Sequence, residues 1–271
     1  MRPFTERLLR DAGLRPGMRV LDVGCGTGDV ALLAAELVGP TGRVIGVDRS
    51  PEVLETARAR GVGVRGLLEF REHDITTLGI DDEPFDAIVG RNVLMHQPDA
   101  VAAVRHLARL ARPGGLVVFA EPVVLAPPLV APDDRPLAAR CVAWIAQALQ
   151  GAGLRRDFGM WLYATFVAAG LPTPTLRMDG VPYSAADAGY SAWRAATVQT
   201  LLPQIKRLGI ATHDEVEIDT LAERLFAEAG AASSAWCGYL QGAAWARVPE
   251  HDDSSPRKRR PRPAPRRYHW H

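Results

Sequence analysis

Through the first half of the chain, short apolar runs alternate with segments whose apolar positions recur every three or four residues. The runs predict strands at 19–24, 43–48, 67–73, 85–91 and 116–121, and the periodic segments predict helices at 28–38, 51–60 and 99–111. Strand and helix in regular turn mark a parallel sheet covered by helices on both faces. Local punctuation agrees. Pro51 stands where a helix begins and its missing N–H costs nothing, with Ser50 before it as a candidate N-cap. Pro113, Gly114 and Gly115 should stop the helix ahead of the fifth strand.

Beyond residue 122 the pattern is less regular. FGMWLYATFVAAGL (158–171) reads as the helix before a sixth strand at 174–182, and the alternation of YLQGAAWARV (239–248) fits a seventh strand at an antiparallel edge. Two mostly helical segments, 123–157 and 184–235, are left over. The fifth and sixth strands end at the same edge of the sheet, where an antiparallel seventh would start. Both insertions therefore emerge over that edge and should form a lid. The expected fold is α/β: a doubly wound, seven-stranded sheet with the last strand antiparallel and a helical lid. In domain terms, 1–122 is the core, 123–157 and 184–235 the lid, 158–183 and 236–248 the remainder of the core, and 249–271 a tail.

The stretch VLDVGCGTGD (20–29) carries the strongest chemical signal. An apolar run ends in Gly24-x-Gly26-x-Gly28, and a helical pattern follows at once. Glycine has no Cβ, so such a loop lets backbone approach a ligand closely. Twenty residues on, RVIGVD ends in Asp48, an acid at the tip of a second strand that suits a ribose diol. Together they point to a nucleoside-containing cofactor lying across the ends of two parallel strands. The loop is shorter than the G-x-G-x-x-G turn that cradles a pyrophosphate. Asp29 at the helix start suits the helix dipole but would repel a phosphate. A cofactor with a ribose and a positive centre fits better.

VLDVGCGTGD resembles the first motif of class I S-adenosylmethionine-dependent methyltransferases. GVDRS (46–50), EHDI (72–75), FDAIVGRNVLMHQPD (85–99) and LARPGGLVVFAEP (110–122) are similar, in order, to later segments of that family. The likeness runs from about residue 14 to residue 122 and is weaker at GLPTPTLRM and in the final strand. It implies a Rossmann-like sheet and S-adenosylmethionine as cofactor. By position, Gly24 and Gly26 would let backbone meet the methionine part, with Cys25 between them as a small filler and Asp22 bracing the loop through hydrogen bonds. Asp48 would accept from the ribose hydroxyls, Arg49 would flank the adenine, and Asp74 with the Ile75 backbone would read its amino edge. Arg91 and Asn92 would meet the methionine amino group. An oxygen or nitrogen nucleophile can require a base. The candidates are His96 and Glu121 at the ends of strands four and five, although a His in the context L-x-H-x-P-D also serves structural roles in the family. No metal site is expected, because GRNV stands where metal-dependent members carry acids.

The lid segments hold many aromatic residues. Most should pack the lid, and the remainder would line a pocket for a small apolar or aromatic substrate, with Trp144, Trp161, Tyr183 and Trp193 as candidates. The reading is a methyltransferase acting on such a molecule at oxygen, nitrogen or carbon, as in natural-product biosynthesis. The alternatives are a same-fold enzyme using the cofactor for another reaction such as a cyclisation, a nucleic-acid methyltransferase, and a non-catalytic scaffold.

Charge adds little to this picture. The formal net charge is +1, which gives no bias toward nucleic acid or membrane, and neither is expected as a partner. The tail is locally basic and lacks periodicity, so it should be disordered. Three separated cysteines without a C-x-x-C pair give no disulfide or metal pattern. The charged N-terminus has no apolar core like that of a signal peptide, and a cytoplasmic protein is the expectation. About thirteen residues precede LRPGMRVLDVG, fewer than in many members of the family. Either more chain lies upstream or the lid covers the site alone. A homo-oligomer is compatible with the sequence, which leaves oligomeric state open.

Overall fold

The computed structural model describes residues 2–64, 66–79, 83–124, 135–180, 188–232, 235, 237 and 239–250. Seven strands form one sheet: β1 (Arg19–Val23), β2 (Arg43–Asp48), β3 (Leu67–Glu72), β4 (Phe85–Arg91), β5 (Ala111–Val124), β6 (Thr175–Gly180) and β7 (Tyr239–Arg247). Their order is β3-β2-β1-β4-β5-β7-β6, with the first five parallel and β7 antiparallel to both β5 and β6. The strand order reverses direction beside β1, so the carboxyl ends of β1, β2 and β4 surround the crevice where such sheets bind ligands.

Alternation along the strands builds two cores. Val20, Val44, Ala87, Val89 and Val118 face α1 (Arg2–Ala12) and α2 (Asp29–Val38). Leu21, Val23, Ile45, Ile88, Val117 and Phe119 face the opposite layer, which includes α4 (Ala100–Ala108) and α6 (Leu162–Ala169). That apolar cluster continues without a break into α5 (Pro136–Gly151), α7 (Ala188–Arg207), the short α8 (His213–Val216) and α9 (Leu221–Ala231). The start of α5 is capped from α9: Glu228 accepts from the backbone N–H of Leu137 at 2.6 Å and of Ala138 at 2.9 Å. Two N–H groups that a helix start leaves without partners are thereby satisfied. No helix among the described residues is long and apolar enough to cross a membrane.

Four local expectations need correcting. The seventh strand is internal, and β6, exposed or half-buried throughout, forms the edge. The helix before β5 ends at Ala108, ahead of Pro113, so the Pro-Gly-Gly run lies in an irregular start of β5 where pairing with β4 shifts register. Ser50 does precede α3 (Pro51–Gly61), but its hydroxyl donates to Glu52 and makes no backbone cap. A helix that the apolar periodicity had not indicated, α1, buries Phe4, Leu8 and Leu9 against α2. The tail from residue 251 lies outside the described residues.

Candidate active site

The glycine loop turns tightly after β1. Gly24 has φ +63°, and a Cβ there would sit 2.4 Å from Cγ2 of Val93. That space and that dihedral together require glycine. The loop is tied to β2 at two points: Cys25 N–H donates to Val47 O at 2.9 Å and Gly26 N–H donates to Oδ2 of Asp48 at 2.9 Å. The other Asp48 oxygen accepts from Ser50 N–H at 3.1 Å. Asp48 thus fixes the loop on one side and the start of α3 on the other. Each carboxylate oxygen keeps further accepting capacity for a ligand hydroxyl.

A cavity of about 310 Å³ opens beside this loop. Gly24, Asp48, Arg49, Asp74, Ile75, Asn92 and His96 line it, so seven of the residues singled out from the sequence meet in one place. His73, Val93 and Gln97 join them without having been singled out. Asp74 forms a local turn, accepting from the N–H of Thr76 at 2.8 Å and its hydroxyl at 2.6 Å. These bonds hold its carboxyl below the usual range. The polar set is acidic beside β2 and mixed elsewhere, which fits a ribose and a base edge.

Asp22 lies beneath the loop, 1% exposed, and neither carboxylate oxygen has a hydrogen-bond partner of ordinary geometry. The expected bracing bonds are not made. Burial drives its pKa up to about 8, against the pull of the Arg91 guanidinium and the Ala31 backbone. A buried polar group left unsatisfied marks a place where a ligand, a water or a proton must compensate.

Other predicted residues point elsewhere. Cys25 buries its side chain behind the loop, where a Cβ on Gly46 would come within 3.1 Å of its sulfur, and burial raises its thiol pKa far above the ordinary range. Arg91 shares the strand face of Ala87 and Val89, so its side chain runs toward α1 and α2 instead of into the cavity. It donates to the Thr5 hydroxyl at 2.9 Å and pairs with Asp29 at 3.1 Å. Asp29 also pairs with Arg60 at 2.8 Å. Partial burial opposes ionisation of Asp29, but the two arginines outweigh it and its pKa is lowered.

Glu121 is fully buried and lines neither cavity. Its Oε1 accepts from the N–H of Val93 at 2.9 Å and of Leu94 at 2.8 Å, and its Oε2 from Met95 N–H at 3.3 Å. It therefore shapes the 3-10 turn Leu94–His96, with both carboxylate oxygens engaged by backbone N–H groups. Burial pushes its pKa up to about 7, with the three N–H bonds opposing. The turn carries His96 to the cavity wall. Partial burial and the Arg49 charge lower the His96 pKa from 6.5, so the ring is neutral at pH 7. Asn92, at the start of the same turn region, has φ +57° and accepts through Oδ1 from Gln241 at 2.9 Å. A left-handed non-glycine residue at such a place carries backbone strain that its surroundings must hold.

A second cavity, of about 350 Å³, adjoins the first. Asn92 and His96 line both. Its other walls are Met95, the end of β5 at Pro122 and Val124, α5 at Ile145 and Leu149, and α7 at Trp193, Arg194, Thr197, Thr200 and Leu201. Of the aromatic residues proposed for a pocket, Trp193 lies here. Trp144 is buried in the helical core, where its bulk packs α5, and does not line the cavity. Trp161 is 42% exposed, its ring covered by the Arg155 guanidinium at 3.8 Å and its N–H donating to Asp157 at 3.3 Å. Tyr183 lies outside the described residues. Among those residues, no cluster of three or more His, Cys, Asp or Glu forms a candidate metal site.

A family model described as a methyltransferase domain matches residues 14–151, just over half of the chain. The demethylmenaquinone methyltransferase of Staphylococcus aureus is 34% identical over 118 residues, 44% of this chain and 48% of that protein. The chain thus spans about half the length of the curated relatives it matches. The solved YcgJ protein of Bacillus subtilis superposes with a TM-score of 0.57 at 22% identity, covering 92% of this chain and 100% of that one. Phosphoethanolamine N-methyltransferase 2 of Haemonchus contortus, solved with S-adenosylhomocysteine, gives a TM-score of 0.56 at 17% identity, covering 91% of this chain and 52% of that one. At these identities the two structures speak for the fold alone. With the family model, the sheet order and the glycine loop in agreement, the chain belongs to the class I S-adenosylmethionine-dependent methyltransferases.

Proposed function

We propose that this protein transfers the methyl group of S-adenosylmethionine to a small apolar or aromatic molecule held in the second cavity, leaving the methylated product and S-adenosylhomocysteine. The observation that carries the reading is the shared wall: Asn92 and His96 border both cavities, so ligands in the two would meet there. When bound, S-adenosylmethionine supplies a methyl group already activated on a sulfonium centre. The protein's task is then to align the partners and exclude water. Asp48 accepts from the ribose hydroxyls while anchoring the loop, and Asp74 with the Ile75 backbone reads the adenine edge. Asn92 has an amide N–H₂ to offer, because its oxygen is engaged by Gln241. His96 is neutral at pH 7 and, among the described residues, no hydrogen bond holds its ring, so it can take the proton of an O–H or N–H acceptor. Glu121 positions His96 through the turn. Met95, Ile145, Leu149 and Trp193 keep the second cavity dry.

The curated relatives named for demethylmenaquinone support a small-molecule acceptor. The test is incubation with cofactor labelled in its methyl group and a panel of naphthols and aromatic amines, followed by mass spectrometry. Label on an acceptor, lost in His96→Asn, is the expected result. An acceptor that is chemically changed while the label stays on the cofactor would favour a cyclisation or related reaction.

A further inference from the structure

Arg194 is the largest fully buried side chain in the described structure, at 1% exposure, and it lines the second cavity. Its guanidinium lies 5.0 Å from the Tyr190 ring and 5.3 Å from the Trp193 ring, and it donates to the Tyr190 hydroxyl. Among the described residues it forms no ion pair with a carboxylate, and its Nε–H has no acceptor. Arginine cannot shed its charge on burial as lysine can. A buried cation without an anion is unfavourable, and ring contacts offset only part of that.

The other described residues that line the cavity do not supply the missing anion. Ile145, Leu149 and Leu201 are apolar. Thr197 and Thr200 turn their hydroxyls back onto their own helix, donating to Trp193 O and Ala196 O at 2.9 Å each. Among the described residues the cavity is therefore a mostly apolar chamber with one fixed positive group. We propose that its ligand is an organic carboxylate: an apolar or aromatic body whose carboxylate seats on Arg194 while its reacting atom lies toward Asn92 and His96. A planar guanidinium matches a carboxylate through two parallel N–H donors, which makes this recognition specific as well as attractive. The proposal rests on the reading of the second cavity as the substrate site.

Naphthoate and naphthamide differ in charge and hardly in shape, so they test the idea directly. Protein loaded with S-adenosylhomocysteine is titrated calorimetrically with each, for the wild type, Arg194→Lys and Arg194→Met. The wild type should bind naphthoate at least tenfold more tightly than naphthamide. Arg194→Lys should keep part of that preference, and Arg194→Met should lose it. Equal binding of acid and amide, binding of neither, or a preference that survives in Arg194→Met overturns the proposal. Should Arg194→Met fail to fold, the wild-type comparison and the lysine variant decide. Failure of the wild type to load S-adenosylhomocysteine strikes at the methyltransferase reading, whereas loading without acid preference strikes only at Arg194.

Discussion

Replacing Glu121 with glutamine separates the cost of burying a charge from the value of the bonds it makes. Two of those bonds are short, at 2.9 and 2.8 Å to Oε1, and the third is 3.3 Å to Oε2. Burial nevertheless raises the pKa from 4.5 to about 7. The folded protein then holds a proton at Glu121 where the unfolded chain has already lost it. For a carboxyl shifted upward, the favourable contribution is complete below about pH 4.5 and is lost as pH rises through about 7. The gap corresponds to about 3 kcal/mol. Glutamine removes the charge and keeps Oε1 for Val93 and Leu94, but its N–H₂ faces the Met95 N–H and leaves that one donor without an acceptor. Near pH 5 Glu121→Gln should therefore be about 1–3 kcal/mol less stable than the wild type, and it should gain about 3 kcal/mol on the wild type between pH 5 and pH 8. In a chain of this size each kcal/mol moves the melting temperature by roughly 2–4 °C. Urea or thermal unfolding across that pH range reads the trend. Glu121→Ala is the control: it strips the acceptor from three buried N–H groups at every pH, at about 1–3 kcal/mol each. If Glu121→Gln instead loses ground to the wild type as pH rises, the bonds to the ionised carboxylate outweigh its burial and the reasoning is wrong.

Three other substitutions follow from the same geometry. Gly24→Ala places a methyl group against Val93 in a left-handed backbone that costs a side chain about 1–2 kcal/mol; cofactor affinity should fall at least about tenfold, and an unchanged calorimetric Kd would refute the close-packed loop. Asp22→Asn removes a carboxyl whose pKa stands near 8, so the variant should gain stability over the wild type as pH rises from about 4 to about 8; a difference that shrinks over that range would contradict the assignment. His96→Asn should lower the methyl-transfer rate by about 10²–10⁴-fold with little change in cofactor Kd, and the wild-type rate should decline on acidification below pH 6.5, where His96 gains its proton. A variant as fast as the wild type would remove His96 as the base.

The first cavity was largely legible in the sequence because its signals are local. Gly24 and Asp48 each sit at a strand end that the apolar pattern alone locates, and parallel pairing brings them together. Strand parity was the missing information for Arg91: one residue earlier than Asn92, it faces α1 and α2 while Asn92 borders both cavities. The role of Glu121 was hidden for another reason. Its partners are backbone N–H groups 26 to 28 residues away, and no side-chain pattern records them. The aromatic content of the inserted helices identified a packed layer but could not say which ring faces inward. Trp144 on α5 and Trp193 on α7 are the same residue type, and only the packing of the two helices turns Trp193 to the cavity and Trp144 into the core. Arg194 was passed over among many arginines, since nothing short of the packed α5 and α7 shows that it is buried.

Calorimetric titration of the protein with S-adenosylmethionine, beside Asp48→Asn, tests the central claim most directly. The account predicts micromolar binding by the wild type, roughly −8 kcal/mol, weakened at least about tenfold by the substitution. Absence of binding by the wild type, or equal binding by the two proteins, would contradict it.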